Sequence, residues 1–173
     1  MPASSGLSIG RAAALAALLT AAAPALAEDA APIVGPAEVV DSDGLRVGNA
    51  SIMLWGIESV ERAQTCSIRR EAWECYAAAV RALQTLASVS DVTCQPKGKP
   101  DGYGRILAVC SAGGVELNEA MVRQGFALDK RDETKDYVAA EEAAKAAGIG
   151  LWQGEFMRPA DFRRSHGIRA DRP

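Results

Sequence analysis

The sequence has few of the residues that most often build metal centres or nucleic-acid surfaces. It holds one histidine, His166, and no C-x-x-C pair among its four cysteines, which argues against a zinc site. Its formal net charge is −3, whereas proteins that bind nucleic acid without specificity usually present a basic face. Beyond residue 27 there is no apolar run near the ~20 residues that a membrane-spanning helix needs.

The first 27 residues are predicted to be a secretory signal peptide. Arg11 precedes the apolar run AAALAALLTAAAPALA at 12–27, which ends in a small-x-small cleavage sequence, Ala25 to Ala27. The run is short and contains a proline, so a signal peptide is favoured over a transmembrane helix, and no stable membrane insertion is expected after cleavage. This interpretation predicts a periplasmic or secreted protein.

The cysteines of an exported chain are expected to form disulfides. Four cysteines allow three pairings. We favour Cys66–Cys75, which brackets a short turn into a helix, and Cys94–Cys110, which joins two predicted neighbouring strands. Each bond closes a small loop and is expected to stabilise the fold by roughly 3 kcal/mol on the loop-entropy model.

Hydrophobic periodicity and turn residues predict five strands and three helices. Strands are expected at 37–40, 45–47, 51–57, 91–95 and 105–110, and helices at 69–87, 116–124 and 134–147, the last capped by Thr134. This order favours an α+β fold that is mainly β: a closed five-stranded OB-fold barrel with three helices. Residues 28–35 are predicted to be a lead-in, 36–162 the domain and 163–173 a basic, flexible tail.

Carboxylates cluster in the stretch from Val39 to Glu61. Asp41 and Asp43 lie in the first predicted turn, and Glu58 and Glu61 follow the third predicted strand. Four acids in one stretch form either a solvated acidic rim or a metal site.

Four segments, in order, resemble those of the staphylococcal nuclease (thermonuclease) family. They are DSDG at 41–44, MLWGIESVE at 53–61, DGYGR at 101–105 and LNEAMVRQGFA at 117–127, and GLW at 150–152 resembles the end of the domain. The resemblance implies a staphylococcal-nuclease-like fold and Ca²⁺-dependent hydrolysis of phosphodiester bonds in DNA and RNA. The four cysteines are similar to those of a secreted, disulfide-bearing bacterial branch.

The resemblance also implies a role for each matching residue. It implies that Glu61 is the general base and Arg105 the catalytic arginine. Asp43 and Glu58 are the implied Ca²⁺ ligands, with Asp41 nearby. Tyr103 and Lys130 are the implied substrate contacts. Arg105 has an alternative structural role, as the partner of Glu61 in an ion pair.

The main departure from the family pattern is Met53, which stands where the family has its first catalytic arginine. A thioether cannot bind a phosphate through paired hydrogen bonds or offset its charge. Removing such a group typically costs ~10²–10³ in rate. The sequence therefore predicts a degenerate site with weak or absent activity and weak nucleic-acid binding. The protein is also predicted to be a monomer. The alternative is an active Ca²⁺-dependent nuclease in which Lys130 or a tail arginine covers for Met53.

Overall fold

One mixed sheet and two smaller sheets organise the described part of the chain, and four helices pack around them. The computed structural model describes Met1 and residues 30–168, and within this part the fold is α+β, as predicted. The strands are β1 (Ile33–Gly35), β2 (Ala37–Val39), β3 (Gly44–Val47), β4 (Ala50–Leu54), β5 (Ile57–Ser59), β6 (Cys66–Ile68), β7 (Glu71–Trp73), β8 (Val92–Pro96), β9 (Ile106–Ala112), β10 (Val115–Glu116) and β11 (Ala127–Asp129). The helices are α1 (Cys75–Ala87), α2 (Leu117–Arg123), α3 (Val138–Ala147) and α4 (Pro159–Ser165), with a 3₁₀ turn at Gly150–Gln153.

The largest sheet has the strand order β1-β8-β9-β4-β3-β2, with β10 added to β9. Its neighbours pair antiparallel except for β4 and β9, which run parallel. Two smaller sheets pair β5 with β11 and β6 with β7. The closure of the main sheet into a five-stranded barrel stays a prediction.

Alternation along the strands builds the core. In β3 and β4, Leu45, Val47, Ile52 and Leu54 are buried, while the intervening Arg46 and Ser51 are exposed. Burying an aliphatic side chain of this size contributes roughly 1.5–3 kcal/mol. A one-residue shift would expose this apolar set, so its burial fixes the register of β3 against β4.

The disulfides are Cys66–Cys75 and Cys94–Cys110, the pairs that the sequence predicted. Cys94 and Cys110 face each other in register across β8 and β9. Cys66–Cys75 encloses a β-hairpin, not the predicted turn into a helix. Its turn residues Arg69 and Arg70 have φ of 53° and 70°.

Two predicted boundaries were wrong for local physical reasons. The helix expected from residue 69 begins at Cys75, because residues 66–73 pair as the strands β6 and β7. The helix expected from Thr134 begins at Val138. The Thr134 hydroxyl accepts the N–H of Asp136 at 3.1 Å and so caps a preceding turn.

The predicted third strand at 51–57 is interrupted. A turn at Trp55–Gly56 separates β4 from β5 and lets β5 leave the main sheet to pair with β11. Gly56 has φ 77°, and a Cβ added there would lie 2.6 Å from a methyl carbon of Thr134. Glycine is therefore needed at this turn for both conformation and space.

The end of the chain is more ordered than expected. Pro159 occupies the first turn of α4, and Phe162 packs with 8% exposure. The predicted flexible tail from residue 163 is therefore wrong for 163–165, which complete this helix. The predicted signal peptide at 1–27 lies outside the described residues, apart from Met1. No helix in the described part of the chain is long and apolar enough to cross a membrane.

Asn118 of α2 connects the helix to β9 and to the β4–β5 turn. It is fully buried, and its Oδ1 accepts the N–H of Cys110 at 3.0 Å. Its Nδ2 donates to the carbonyls of Trp55, at 2.8 Å, and Ala108, at 3.2 Å. One side chain thus satisfies three main-chain groups of β9 and the β4–β5 turn.

We predict that Asn118→Ala lowers the free energy of unfolding by about 3 kcal/mol, because it leaves buried main-chain groups without partners. Urea denaturation followed by tryptophan fluorescence measures the change. The control is Glu119→Ala at the next position, whose side chain is 45% exposed and loses only a surface ion pair with Arg123, so we expect it to stay within about 0.5 kcal/mol of the wild type. A loss below about 1 kcal/mol for Asn118→Ala would contradict this role.

Candidate active site

The turn between β2 and β3 carries Asp41 and Asp43. It is closed by the N–H of Val40, which donates to the Gly44 carbonyl at 3.0 Å. The buried Ser42 hydroxyl donates to the carbonyl of Val60 at 2.8 Å. This bond attaches the turn to the residue before Glu61, so the acids of both segments reach one cleft.

The strand register places position 53 beside that turn. Met53 pairs with Gly44 of β3 on one side and with Leu107 of β9 on the other. Arg105 immediately precedes β9 and lies on the same cleft. The cleft measures about 210 Å³ and is lined by Asp41, Ser42, Asp43, Met53, Ile57, Glu58, Ser59, Val60, Glu61, Tyr103, Arg105, Lys130, Arg163 and Ile168.

Arg105 is held by Asp101. Its Nε donates to Asp101 Oδ2 at 2.6 Å, and Asp101 Oδ1 accepts the main-chain N–H groups of Tyr103 and Arg105, both at 2.9 Å. Burial raises the pKa of Asp101, but these hydrogen bonds outweigh it and hold that pKa below its usual value. The ion pair of Arg105 is thus with Asp101, and the alternative pairing with Glu61 is not formed.

Arg163 of α4 reaches into the cleft and bridges two of its acids. Its Nη1 donates to Glu61 Oε1 at 2.7 Å, and its Nη2 donates to Glu58 Oε2 at 3.0 Å. The Arg163 side chain is 16% exposed, and those of Glu58 and Glu61 are 12% and 27% exposed. The expectation that Arg163 belongs to a solvated tail is therefore wrong.

Gln64 positions Glu61 and the chain that leads to α4. Its Oε1 accepts the N–H of Glu61 at 3.2 Å, and its Nε2 donates to the carbonyl of Met157 at 2.5 Å. The Gln64 N–H donates back to the Glu61 carbonyl at 2.8 Å. Because Gln64 is buried, it fixes the loop of Glu61 against the chain at Met157, which precedes α4.

Lys130 follows β11 and lines the cleft. Its N–H donates to the Gly56 carbonyl at 2.9 Å, which fixes the end of β11 against the β4–β5 turn. Its ammonium pairs with Glu133. This pair places a cation at the cleft wall, next to the strand that carries Glu58.

The charge on Asp43 is disfavoured in the folded protein. Burial and the neighbouring carboxylates of Asp41 and Glu61 raise the pKa of Asp43 from 3.8 to about 6, against the opposing effects of Arg105 and a main-chain N–H of Ser59. Asp41 lies 3.8 Å from Arg62.

The acids do not form a ready Ca²⁺ site in this arrangement. Ca²⁺ takes six to eight oxygen ligands at ~2.3–2.6 Å. Among the described residues, no three His, Cys, Asp or Glu side chains come close enough to hold a metal ion. Glu58, one of the predicted ligands, instead accepts its hydrogen bond from Arg163.

Sequence reasoning named most of the cleft but not all of it. The structure brings seven predicted residues to one cleft: Asp41, Asp43, Glu58, Glu61, Tyr103, Arg105 and Lys130. Their roles stay predictions. Arg163 also lines the cleft, where only the alternative with a covering tail arginine had placed a residue from the end of the chain. Gln64 supports Glu61 from outside the lining and was not predicted. A proline at the first helical position followed by Phe162 was the available signal that the end of the chain forms a docked helix.

Residues 51–154 match the family model described as "Staphylococcal nuclease homologue". The chain therefore belongs to the staphylococcal nuclease family. Helix α4, which carries Arg163, lies beyond the end of that match. The turn that carries Asp41 and Asp43 lies before its start.

Two curated proteins are similar to parts of this chain. The chain is 33% identical over 130 residues to the succinoglycan biosynthesis protein ExoI of Rhizobium meliloti, covering 73% of this chain and 68% of that protein. It is 36% identical over 91 residues to an uncharacterized endonuclease of Haemophilus influenzae, covering 51% of each chain. The chain thus spans about half the length of the second relative.

We predict that Asp43→Asn stabilises the protein at pH 7.5 by about 1–3 kcal/mol. The folded-state pKa of Asp43 is raised, so its charged form costs stability. That cost is absent below pH ~4, grows between pH ~4 and ~6, and is constant above. Thermal unfolding at pH 4 and pH 7.5 measures it, with Asp91→Asn at an exposed site as control. Equal melting temperatures of wild type and Asp43→Asn at pH 7.5 would refute the prediction.

Proposed function

We propose that this protein is a staphylococcal-nuclease-like domain with weak or absent phosphodiesterase activity. The observation that carries the proposal is the ion pair of Glu61 with Arg163 at 2.7 Å. The general base must accept a proton from the attacking water. In this arrangement a carboxylate oxygen of Glu61 already accepts a hydrogen bond from a cation.

Met53 supports the same conclusion. It lines the cleft between the acid turn and Arg105, at the position that the family fills with an arginine. Charge develops on the phosphoryl oxygens during hydrolysis and needs donors aimed at it. Arg105 provides such a group, and its Nε is oriented by Asp101, but Met53 adds no second one.

The second candidate function is an active Ca²⁺-dependent nuclease acting on DNA or RNA. One observation favours it: Arg163 and Lys130 line the same cleft as Met53 and Arg105. Either cation could take the role of the arginine that the family has at position 53. In that case Asp43, Asp41 and Glu58 would hold the Ca²⁺, with Glu58 released from Arg163. The relative named as an endonuclease lends support to this candidate.

We also propose that the mature protein is a monomer in the periplasm or outside the cell, exported by the signal peptide at 1–27. The two disulfides support this location, because such bonds persist in oxidising compartments. Cell fractionation of the full-length protein, with mass analysis of its mature N-terminus, tests the export and the cleavage after Ala27.

The decisive variant is Met53→Arg. We predict that the purified mature wild type cleaves single-stranded DNA in Ca²⁺ slowly or not at all, and that Met53→Arg raises the rate by about tenfold or more, because it restores a phosphate-binding guanidinium. The control Met53→Leu keeps the position apolar and should leave the rate unchanged. Efficient cleavage by the wild type would instead establish the second candidate function.

Any activity gained should depend on Glu61. We predict that Glu61→Gln, introduced into the Met53→Arg variant, lowers the gained rate by about 10² or more, because an amide cannot take the proton from water. A gel assay with labelled single-stranded DNA measures both variants. Retention of the gained rate in the double variant would exclude Glu61 as the base.

A further inference from the structure

We propose that Arg163 is a built-in counter-ion of the cleft, so that docking of α4 and binding of a divalent cation at Glu58 exclude each other. The inference rests on the proposed function, since it concerns the same acids. It explains why the family's Ca²⁺ site is not assembled in this arrangement. It also makes α4 an autoinhibitory element that lies outside the matched family segment.

The contacts of Arg163 use the oxygens that a cation would need. Each Nη group donates to a different glutamate, at 2.7 Å to Glu61 and 3.0 Å to Glu58. Hard cations bind the same carboxylate lone pairs directly. A guanidinium and a divalent cation therefore compete for Glu58, both by contact and by charge.

Two other arginines in or near the cleft are engaged elsewhere. Arg105 of the cleft pairs with Asp101 at 2.6 Å, and Arg62, outside the cleft lining, lies 3.8 Å from Asp41. Among the described residues, only Arg163 forms an ion pair with Glu58 or Glu61. Removing its charge takes the ion-pair partner from both glutamates and makes the cleft more negative, which raises its attraction for a cation.

Helix α4 is attached in a way that permits it to leave. The chain before it is fixed, because Glu155 exchanges two main-chain hydrogen bonds with Ser67, at 2.8 and 2.9 Å, and Met157 accepts from Gln64. The seven-residue helix itself buries mainly Pro159 and Phe162. With so small an apolar anchor, the docking of α4 depends on the ion pairs of Arg163 with Glu58 and Glu61. A cation that displaces Arg163 from Glu58 therefore also weakens the docking of the helix.

The test is a titration with Ca²⁺ alone, by calorimetry, of wild type, Arg163→Gln and Arg164→Gln. Arg164 is the matched control, since it is 78% exposed and pairs with Asp161. We expect Arg163→Gln to bind Ca²⁺ about tenfold more tightly than the wild type, a coupling typical of two exclusive states. Arg164→Gln should match the wild type. Equal affinities for wild type and Arg163→Gln, or no binding by either, would overturn the inference.

A second measurement uses the wild type and does not depend on the variant's folding. Amide hydrogen exchange across α4 should speed up at saturating Ca²⁺ but not in NaCl of the same ionic strength. Unchanged exchange in α4 would also overturn the inference. Neither readout involves cleavage. Efficient DNA cleavage would therefore refute the proposed low activity but not this inference. The competition between Arg163 and Ca²⁺ is judged by the titration and the hydrogen exchange.

Discussion

The guanidinium of Arg163, shared between Glu61 and Glu58, is the interaction on which the state of the cleft depends. Two segments far apart in sequence meet through it, at 2.7 and 3.0 Å in a largely buried position. Breaking a buried pair costs more than the pair itself contributes, because the remaining charge is left without compensation. The pair therefore holds both α4 and the two glutamates in place.

The acids in and around the cleft pair with arginines, with one exception. Asp41 has Arg62, Asp101 has Arg105, and Glu58 and Glu61 share Arg163. Asp43 is the exception, and its raised pKa records the cost. Stability and function commonly conflict at such a residue, because a site kept for a ligand is not optimised for the free protein.

Local patterns predicted the fold class, the disulfide pairs and the ends of α2 and α3, where Gly125 and Gly148 take positive φ. They failed at Arg69 and at Thr134, where hairpin pairing and a local turn outcompete helix propensity. The cleft residues of the matching motifs were predictable by position. Arg163 was not, because its partners lie about a hundred residues earlier and no local pattern encodes a contact over that distance.

A double-mutant cycle between Arg163 and Glu61 tests the central claim most directly. The free energies of unfolding of Arg163→Ala, Glu61→Ala and the double variant are compared with the wild type. A partly buried, charge-assisted hydrogen bond predicts a coupling free energy of about 1–3 kcal/mol. A coupling near zero would show that Arg163 and Glu61 do not interact in solution. It would contradict the claim that Arg163 is the counter-ion of the cleft.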